Sequence, residues 1–154
     1  MKQDLWKYSV TELLKGYKKK IFDCIDVASA TINQIKKLNK QINAFVYFNE
    51  QDVIDQAVRS KKRWESGKLL GKLDGIPISI KDLIVTKDYP TFRGSYNSSL
   101  PTKSQVNAPV VDKLIRSGAV LLGKTATPEF GHKGTTASKR FGETLNPWNL
   151  KTNA

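Results

Sequence analysis

The segment Gly75–Asp82, GIPISIKD, sets a lysine at the end of an apolar, strand-like run. Side chains alternate between the two faces of a strand, so Ser79 and Lys81 share one face and the isoleucines share the other. Burial disfavours the charged form of a lysine, which lowers its pKa and lets the amine act as a base. An edge strand whose lysine simply reaches water fits the same pattern. From the strand alone this second interpretation is preferred, but the segments that follow downstream favour Lys81 as a candidate general base.

Three further segments follow in order, reading GKTATPEF at 123–130, GHKGTT at 131–136 and FGETLNPWN at 141–149. Together with GIPISIKD, they closely resemble the amidase signature family of serine hydrolases. The resemblance extends back to SVTELLKGY at 9–17 and INAFVYF at 42–48, so that it covers nearly the whole chain. Four ordered motifs with plausible separations make a far more specific match than any one of them.

The resemblance implies a role for each candidate site residue. The family's catalytic lysine falls on Lys81, which would take the proton that a nucleophilic serine passes on through a cis-serine. Ser79 is expected to help satisfy the Lys81 amine, and Asp82 to anchor the loop after the strand. The loop that holds Gly131 and His132 resembles one beside the family's substrate channel, so we expect both residues to contact the amide substrate. No cofactor and no metal are implied.

One departure from the family pattern concerns the end of the chain. Family members continue from the Asn-Pro-Trp segment into a Gly/Ser-rich loop with the cis-serine, and the nucleophile and oxyanion-hole amides follow. Here the sequence stops at Ala154. We therefore expect residues 1–154 to be the N-terminal fragment of a single amidase domain, with the lysine but without both serines, and inactive alone. Unpaired strand edges would favour a complementing C-terminal chain or self-association.

Helical and strand patterns alternate along the chain, which predicts the α/β class. The resemblance specifies the N-terminal portion of the amidase signature fold, an incomplete mixed sheet flanked by helices. We expect a helical part at 1–70, the start of the central sheet at 71–154, and no separate second domain. Predicted helices lie at 9–17, 27–38, 52–65 and 108–117, and predicted strands at 42–48, 75–82 and 119–122.

Charge and composition limit the possible partners and compartments. The net charge of +12 suggests nucleic-acid binding. However, the lysines are scattered along amphipathic helices without an aromatic platform, so solvated helix faces are the preferred interpretation. The lone Cys24 and the absence of an apolar signal or membrane-spanning run predict a cytoplasmic protein that does not insert into membranes.

Two competing motifs and two competing functions remain to be weighed. Residues 118–125 satisfy the phosphate-loop pattern G-x-x-x-x-G-K-[ST], but apolar residues fill its variable positions, which predicts a core strand. His132 is the only histidine, so a histidine metal cluster is excluded. The alternatives to an amidase are the N-terminal part of an amidase-like subunit of a tRNA-dependent amidotransferase, and a non-enzymatic basic nucleic-acid-binding module. The sequence does not identify the substrate amide.

Overall fold

The computed structural model describes residues 2–97 and 102–154. The described part is α/β, as predicted. Its helices are the short 3₁₀ helix Lys2–Lys7, α1 (Val10–Lys18), α2 (Cys24–Ile42), α3 (Glu50–Ser66), α4 (Pro109–Arg116) and the 3₁₀ turn Glu129–Gly131. Its strands are β1 (Phe45–Phe48), β2 (Pro77–Lys81), β3 (Val120–Thr125), β4 (Ala137–Ser138), β5 (Gly142–Glu143), β6 (Leu145–Asn146) and β7 (Asn149–Asn153).

Local capping explains where the first helices begin and end. Ser9 and Glu12 form the predicted capping box of α1, in which each side chain accepts from the backbone of the other residue. Asn49 caps the start of α3, and Gly67 ends it in the left-handed conformation at φ 69°. Each of the four predicted long helices is present, although α2 is longer than predicted at both ends.

A three-stranded sheet has the order β1-β3-β2. Strand β1 is antiparallel to β3, with Tyr47 opposite Lys124. Val120 N–H donates to the Ile76 carbonyl, and Asp82 N–H donates to the Thr125 carbonyl, so β2 and β3 run in the same direction. The sheet is thus mixed, with β3 at its centre, and β3 extends three residues beyond the predicted strand. Strands β4 and β5 form a small antiparallel pair, as do β6 and β7.

The chain divides into two compact units, each made of three segments. The first unit comprises Met1–Lys36, Asn49–Ile78 and Asp112–Leu122, and the second comprises Lys37–Phe48, Ser79–Val111 and Gly123–Ala154. The first has an apolar core that includes Val27, Ile32, Val53, Ala57 and Val120. Polar side chains occupy much of the interior of the second, among them Asp82, Thr86, Thr91, Lys124 and Thr127. No helix in the described part of the chain is both long and apolar enough to span a membrane.

Candidate active site

Lys81 is the last residue of β2, which lies at the edge of the described three-stranded sheet, and its side chain is exposed, as in the alternative in which the lysine reaches water. Ser79 is exposed as well, whereas Ile80 and Asp82 are buried, which is the alternation expected of a strand. Ser79 and Lys81 therefore share a face. An exposed lysine at the carboxyl end of a strand can present its amine to a bound substrate.

Asp82 ties the chain that follows β2 back to the end of that strand. Its side chain is fully buried, with Oδ1 accepting from Phe92 N–H at 3.0 Å and Oδ2 from Gly94 N–H at 3.2 Å. Its own carbonyl accepts from Arg93 N–H at 3.1 Å, while its N–H donates to the Thr125 carbonyl at 2.8 Å. These four bonds fix the backbone immediately after Lys81.

Lys124 is a fully buried lysine whose role sequence reasoning missed. It lies in the centre of the sheet on β3, and its exposed fraction is 0%. Its ammonium group donates to Thr91 Oγ1 at 2.7 Å and to the Ile84 carbonyl at 2.9 Å. Longer contacts reach Thr86 Oγ1 at 3.3 Å and the Pro90 carbonyl at 3.4 Å. The Lys124 ammonium group thus contacts polar groups at both ends of the segment 84–91 and between them.

The Asp82 carboxylate lies 3.8 Å from the Lys124 ammonium group, and both side chains are fully buried. Burial raises the pKa of Asp82, and the opposing effects of the Phe92 and Gly94 amides and of Lys124 do not cancel it. Burial likewise lowers the pKa of Lys124 to about 8, against the charge of Asp82. Each group therefore carries its charge at a cost that the other partly offsets.

Gly131 and His132 follow β3 through the short turn Glu129–Gly131. Gly131 has φ +71°, and a Cβ added there would lie 2.9 Å from Leu83 Cδ2, so this turn packs against the residue two positions after Lys81. His132 is exposed, and its Nδ1 lies 2.5 Å from the Glu129 carbonyl oxygen. In parallel sheets, ligands bind at the carboxyl ends of the strands. The segment with Leu83 begins at the carboxyl end of β2, and the segment that leads to Gly131 begins at the carboxyl end of β3.

The phosphate-loop pattern does not form a phosphate site. Gly118 ends α4 at φ +84°, with its N–H donating to the Ile115 carbonyl, and Lys124 of the pattern lies inside a strand. The predicted core strand is therefore confirmed. The lysine itself was overlooked because its acceptors, at 84–91, lie more than thirty residues away. The available signal was a charged residue in mid-strand directly after an apolar run.

Other reactive groups in the described residues do not form a competing centre. Cys24 is buried beside Ser60, and burial raises the pKa of its thiol to about 11, which disfavours the nucleophilic thiolate. Within residues 2–97 and 102–154, no group of three or more His, Cys, Asp or Glu side chains could hold a metal ion.

Similarity to known proteins identifies the family of this chain. The family model described as Amidase matches residues 26–154. The chain belongs to the amidase family. It is 36% identical to an acylamidase of Rhodococcus erythropolis over 152 residues, which are 99% of this chain and 32% of that protein. It is also 34% identical to a glutamyl-tRNA(Gln) amidotransferase subunit of Lachnoclostridium phytofermentans over 151 residues, 96% of this chain and 30% of that protein.

Solved structures agree with this family and with the amidase signature fold. A bacterial aryl acylamidase of the amidase signature family matches with a TM-score of 0.84 and 28% identity over 95% of this chain and 30% of its own. A fatty acid amide hydrolase matches with a TM-score of 0.88 and 26% identity over 97% of this chain and 26% of its own. The chain thus spans about a third or less of the length of the relatives it matches.

Proposed function

We propose that this amidase-family chain supplies the general base for hydrolysis of a carbon–nitrogen (amide) bond, and that the base is Lys81. The observation that carries this proposal is the setting of Lys81. It ends strand β2 of the mixed sheet with its amine exposed, and four hydrogen bonds of the next residue, Asp82, fix the backbone beside it. A base must be held within hydrogen-bond reach of the proton it removes, so a rigid strand end suits the task.

In the proposed mechanism, the Lys81 amine accepts a proton that a cis-serine relays from the nucleophilic serine. The activated serine oxygen attacks the amide carbonyl, and backbone N–H groups stabilise the oxyanion. The amine product leaves with a proton returned by the same relay. Water then attacks the acyl-enzyme, again with the lysine as base. Both serines and the oxyanion hole are proposed to come from polypeptide outside residues 1–154.

The remaining site residues support these steps in the proposal. Ser79, on the same exposed face as Lys81, is a polar neighbour for the amine. Asp82 acts on Lys81 only through the backbone. Gly131 and His132 are proposed to contact the substrate, since their turn packs against Leu83. A larger residue at position 131 would press against Leu83 and disturb the turn.

A chimera tests the proposal. The chain replaces the segment that it matches in the Rhodococcus erythropolis acylamidase, and hydrolysis of a chromogenic anilide is followed. Lys81→Met should lower kcat at least about 10²-fold, since general-base catalysis contributes at least that much. Lys72→Met, which removes another exposed lysine, is the matched control and should leave kcat unchanged. An active chimera in which both variants keep full activity would remove Lys81 from the mechanism.

A second candidate is favoured by the 34% identity to a glutamyl-tRNA(Gln) amidotransferase subunit. In this alternative, the same base chemistry operates inside a multi-subunit complex, and a partner chain consumes the released amine. Hydrolysis by the chimera would not distinguish the two. Co-purification of the chain from its native source would do so, because a stable complex with other subunits supports the amidotransferase and an isolated amidase argues against it.

A further inference from the structure

We propose that Lys124 is a positioning residue for the Lys81 base, because its buried ammonium group holds Asp82 and the segment 84–91 in the arrangement that fixes the end of β2. This inference rests on the proposed function of Lys81 and extends it to a residue on the neighbouring strand. Lys124 does not reach the reacting atoms itself. It acts through Asp82, whose backbone adjoins the base.

Oxygen atoms surround the buried ammonium group of Lys124. An ammonium group has three N–H donors. Here, five oxygens lie within 3.8 Å of it, contributed by the end of β2 and by the loop that follows. The two shortest bonds, to Thr91 and Ile84, hold opposite ends of the segment 84–91. Removal of the amine would take this donor away from the Ile84 and Pro90 carbonyls and from the hydroxyl oxygens of Thr86 and Thr91.

The charge of Lys124 matters as much as its hydrogen bonds. Two cationic side chains act on this pair, Lys124 from β3 and Arg93 from the loop, and Arg93 further lowers the pKa of Lys124. Without Lys124, the buried Asp82 carboxylate would lose its nearest counter-charge. The pKa of Asp82, already raised by burial, would then rise further, because burial penalises an unpaired carboxylate.

Protonation of Asp82 would reach the strand end directly. An ionised carboxylate offers only acceptors, and Asp82 uses both oxygens for the Phe92 and Gly94 amides. A protonated carboxyl group has one O–H donor in place of acceptor capacity, so one of these two bonds would weaken. The loop would then open locally beside Lys81. Lys124 thus keeps Asp82 in the form that closes the loop.

Hydrogen exchange in the full 154-residue chain tests the first step. In Lys124→Met, the Phe92 and Gly94 amides should lose protection at least about tenfold relative to wild type, as expected of a local opening. The loss should deepen as pH falls, because burial has raised the pKa of Asp82 and its carboxylate then protonates. Lys87→Met removes an exposed lysine from the same loop and should change neither amide. Unchanged protection in a folded Lys124→Met variant would overturn the proposal.

The second step is read at Lys81. An amine-reactive reagent labels exposed lysines, and mass spectrometry follows Lys81 against the exposed Lys72 as pH is varied. In Lys124→Met, the Lys81 profile should gain an inflection at the pH where the Gly94 amide loses protection, while the Lys72 profile stays unchanged. A Lys81 profile identical to wild type, with the loop open, would show that Lys124 is structural only.

A second variant keeps the test open if Lys124→Met does not fold. Thr91→Val removes the acceptor of the shortest hydrogen bond of Lys124 but keeps the charged groups of Lys124 and Asp82. The proposal expects faster exchange over 84–91 together with a changed Lys81 labelling rate, and faster exchange with unchanged labelling would overturn it. Failure of the proposed function is distinguishable, because it appears only as full activity of the Lys81→Met chimera.

Discussion

Two buried aspartates, one in each unit, are held in different ways. Asp74 of the first unit accepts a bidentate pair from Arg63, at 2.7 and 2.9 Å, and further bonds from Ser60 and from Leu70 N–H. Asp82 of the second unit accepts two backbone amides, and its cation, Lys124, lies 3.8 Å away. Both carboxylates have no exposed side-chain surface.

Their pKa shifts have opposite signs. Burial raises the pKa of each, but the hydrogen bonds from Arg63 and Ser60 outweigh burial at Asp74 and hold its pKa below the usual range. At Asp82, burial prevails and the pKa is raised. Direct charge-assisted contact, rather than the mere presence of a cation, therefore decides the sign. Asp74 stabilises the first unit, whereas burial favours the neutral form of Asp82 beside the candidate base.

The largest expected effect comes from breaking the stronger pair. Arg63→Met should lower the free energy of unfolding of the chain by about 3–5 kcal/mol, because it leaves a buried carboxylate without its cation. Urea denaturation at neutral pH measures this loss. Arg59→Met removes an exposed arginine from the same helix and should cost less than about 0.5 kcal/mol. Equal costs for the two variants would contradict the assigned role of Asp74.

The matching change in the second unit should cost less at neutral pH. Lys124→Met is expected to lower the free energy of unfolding by about 2–3 kcal/mol, through unpaired acceptors. Asp82 can escape its charge by protonation, which weakens one of its two amide bonds but avoids a buried unpaired charge, and this limits the loss. The same urea titrations apply, and a cost above that of Arg63→Met would reverse the ranking of the two sites.

The pH dependence of Lys124 gives a second check on that pair. Its pKa in the folded chain is about 8, below the ordinary 10.5, so the unfolded chain holds more protons between these values. Stability from this group is therefore gained as pH rises from about 8 towards 10.5, at up to about 1.4 kcal/mol per pH unit. The stability gap between wild type and Lys124→Met should widen over this range. A constant difference in the free energy of unfolding across this pH range would mean that folding does not lower the pKa of Lys124.

The two aspartates should respond oppositely to acid. The lowered pKa of Asp74 means that its stabilisation is present above the ordinary value of 3.8 and is lost as pH falls through the folded value. The raised pKa of Asp82 means the reverse, so its contribution to stability grows as pH falls through the folded value towards 3.8. Urea midpoints should be measured from about pH 3 to about pH 7 for wild type, Asp74→Asn and Asp82→Asn. The difference in midpoint between wild type and Asp74→Asn should change with pH in the opposite direction from the difference between wild type and Asp82→Asn. Slopes of the same sign would remove the distinction.

Local signals in the sequence predicted much of the first unit. The capping box of Ser9 and Glu12 and the stop at Gly67 depend only on neighbouring residues, so both were predictable. The start of α2 was placed three residues late, because the capping signal of Asp23 was overlooked. Asp23 Oδ1 accepts from the backbone amides of Ile25 and Asp26.

The second unit depends more on distant partners, and its sequence is correspondingly less informative. Lysine is the residue expected at the surface, and nothing near Lys124 announces the acceptors at 84–91 that let it be buried. The short strands β4 to β7 were likewise not predicted. Asn43 ties the chain near these strands to a residue about a hundred positions earlier in the sequence. Its side chain donates to the Phe141 carbonyl, and its backbone carbonyl accepts from Thr144 Oγ1.

The smallest expected effect provides the reference for the buried pairs. Lys61 pairs with Asp23 at 2.8 Å, on the same helix as Arg63, but both side chains are more than a third exposed. Exposed ion pairs contribute little because water screens the charges and the long side chains lose conformational freedom. Lys61→Met should therefore lower the free energy of unfolding only slightly, and added salt should shrink the difference further. Urea titrations at low and high salt measure it. A cost close to that of Arg63→Met would mean that proximity alone, rather than burial with bidentate contact, accounts for the first unit's dependence on its charges.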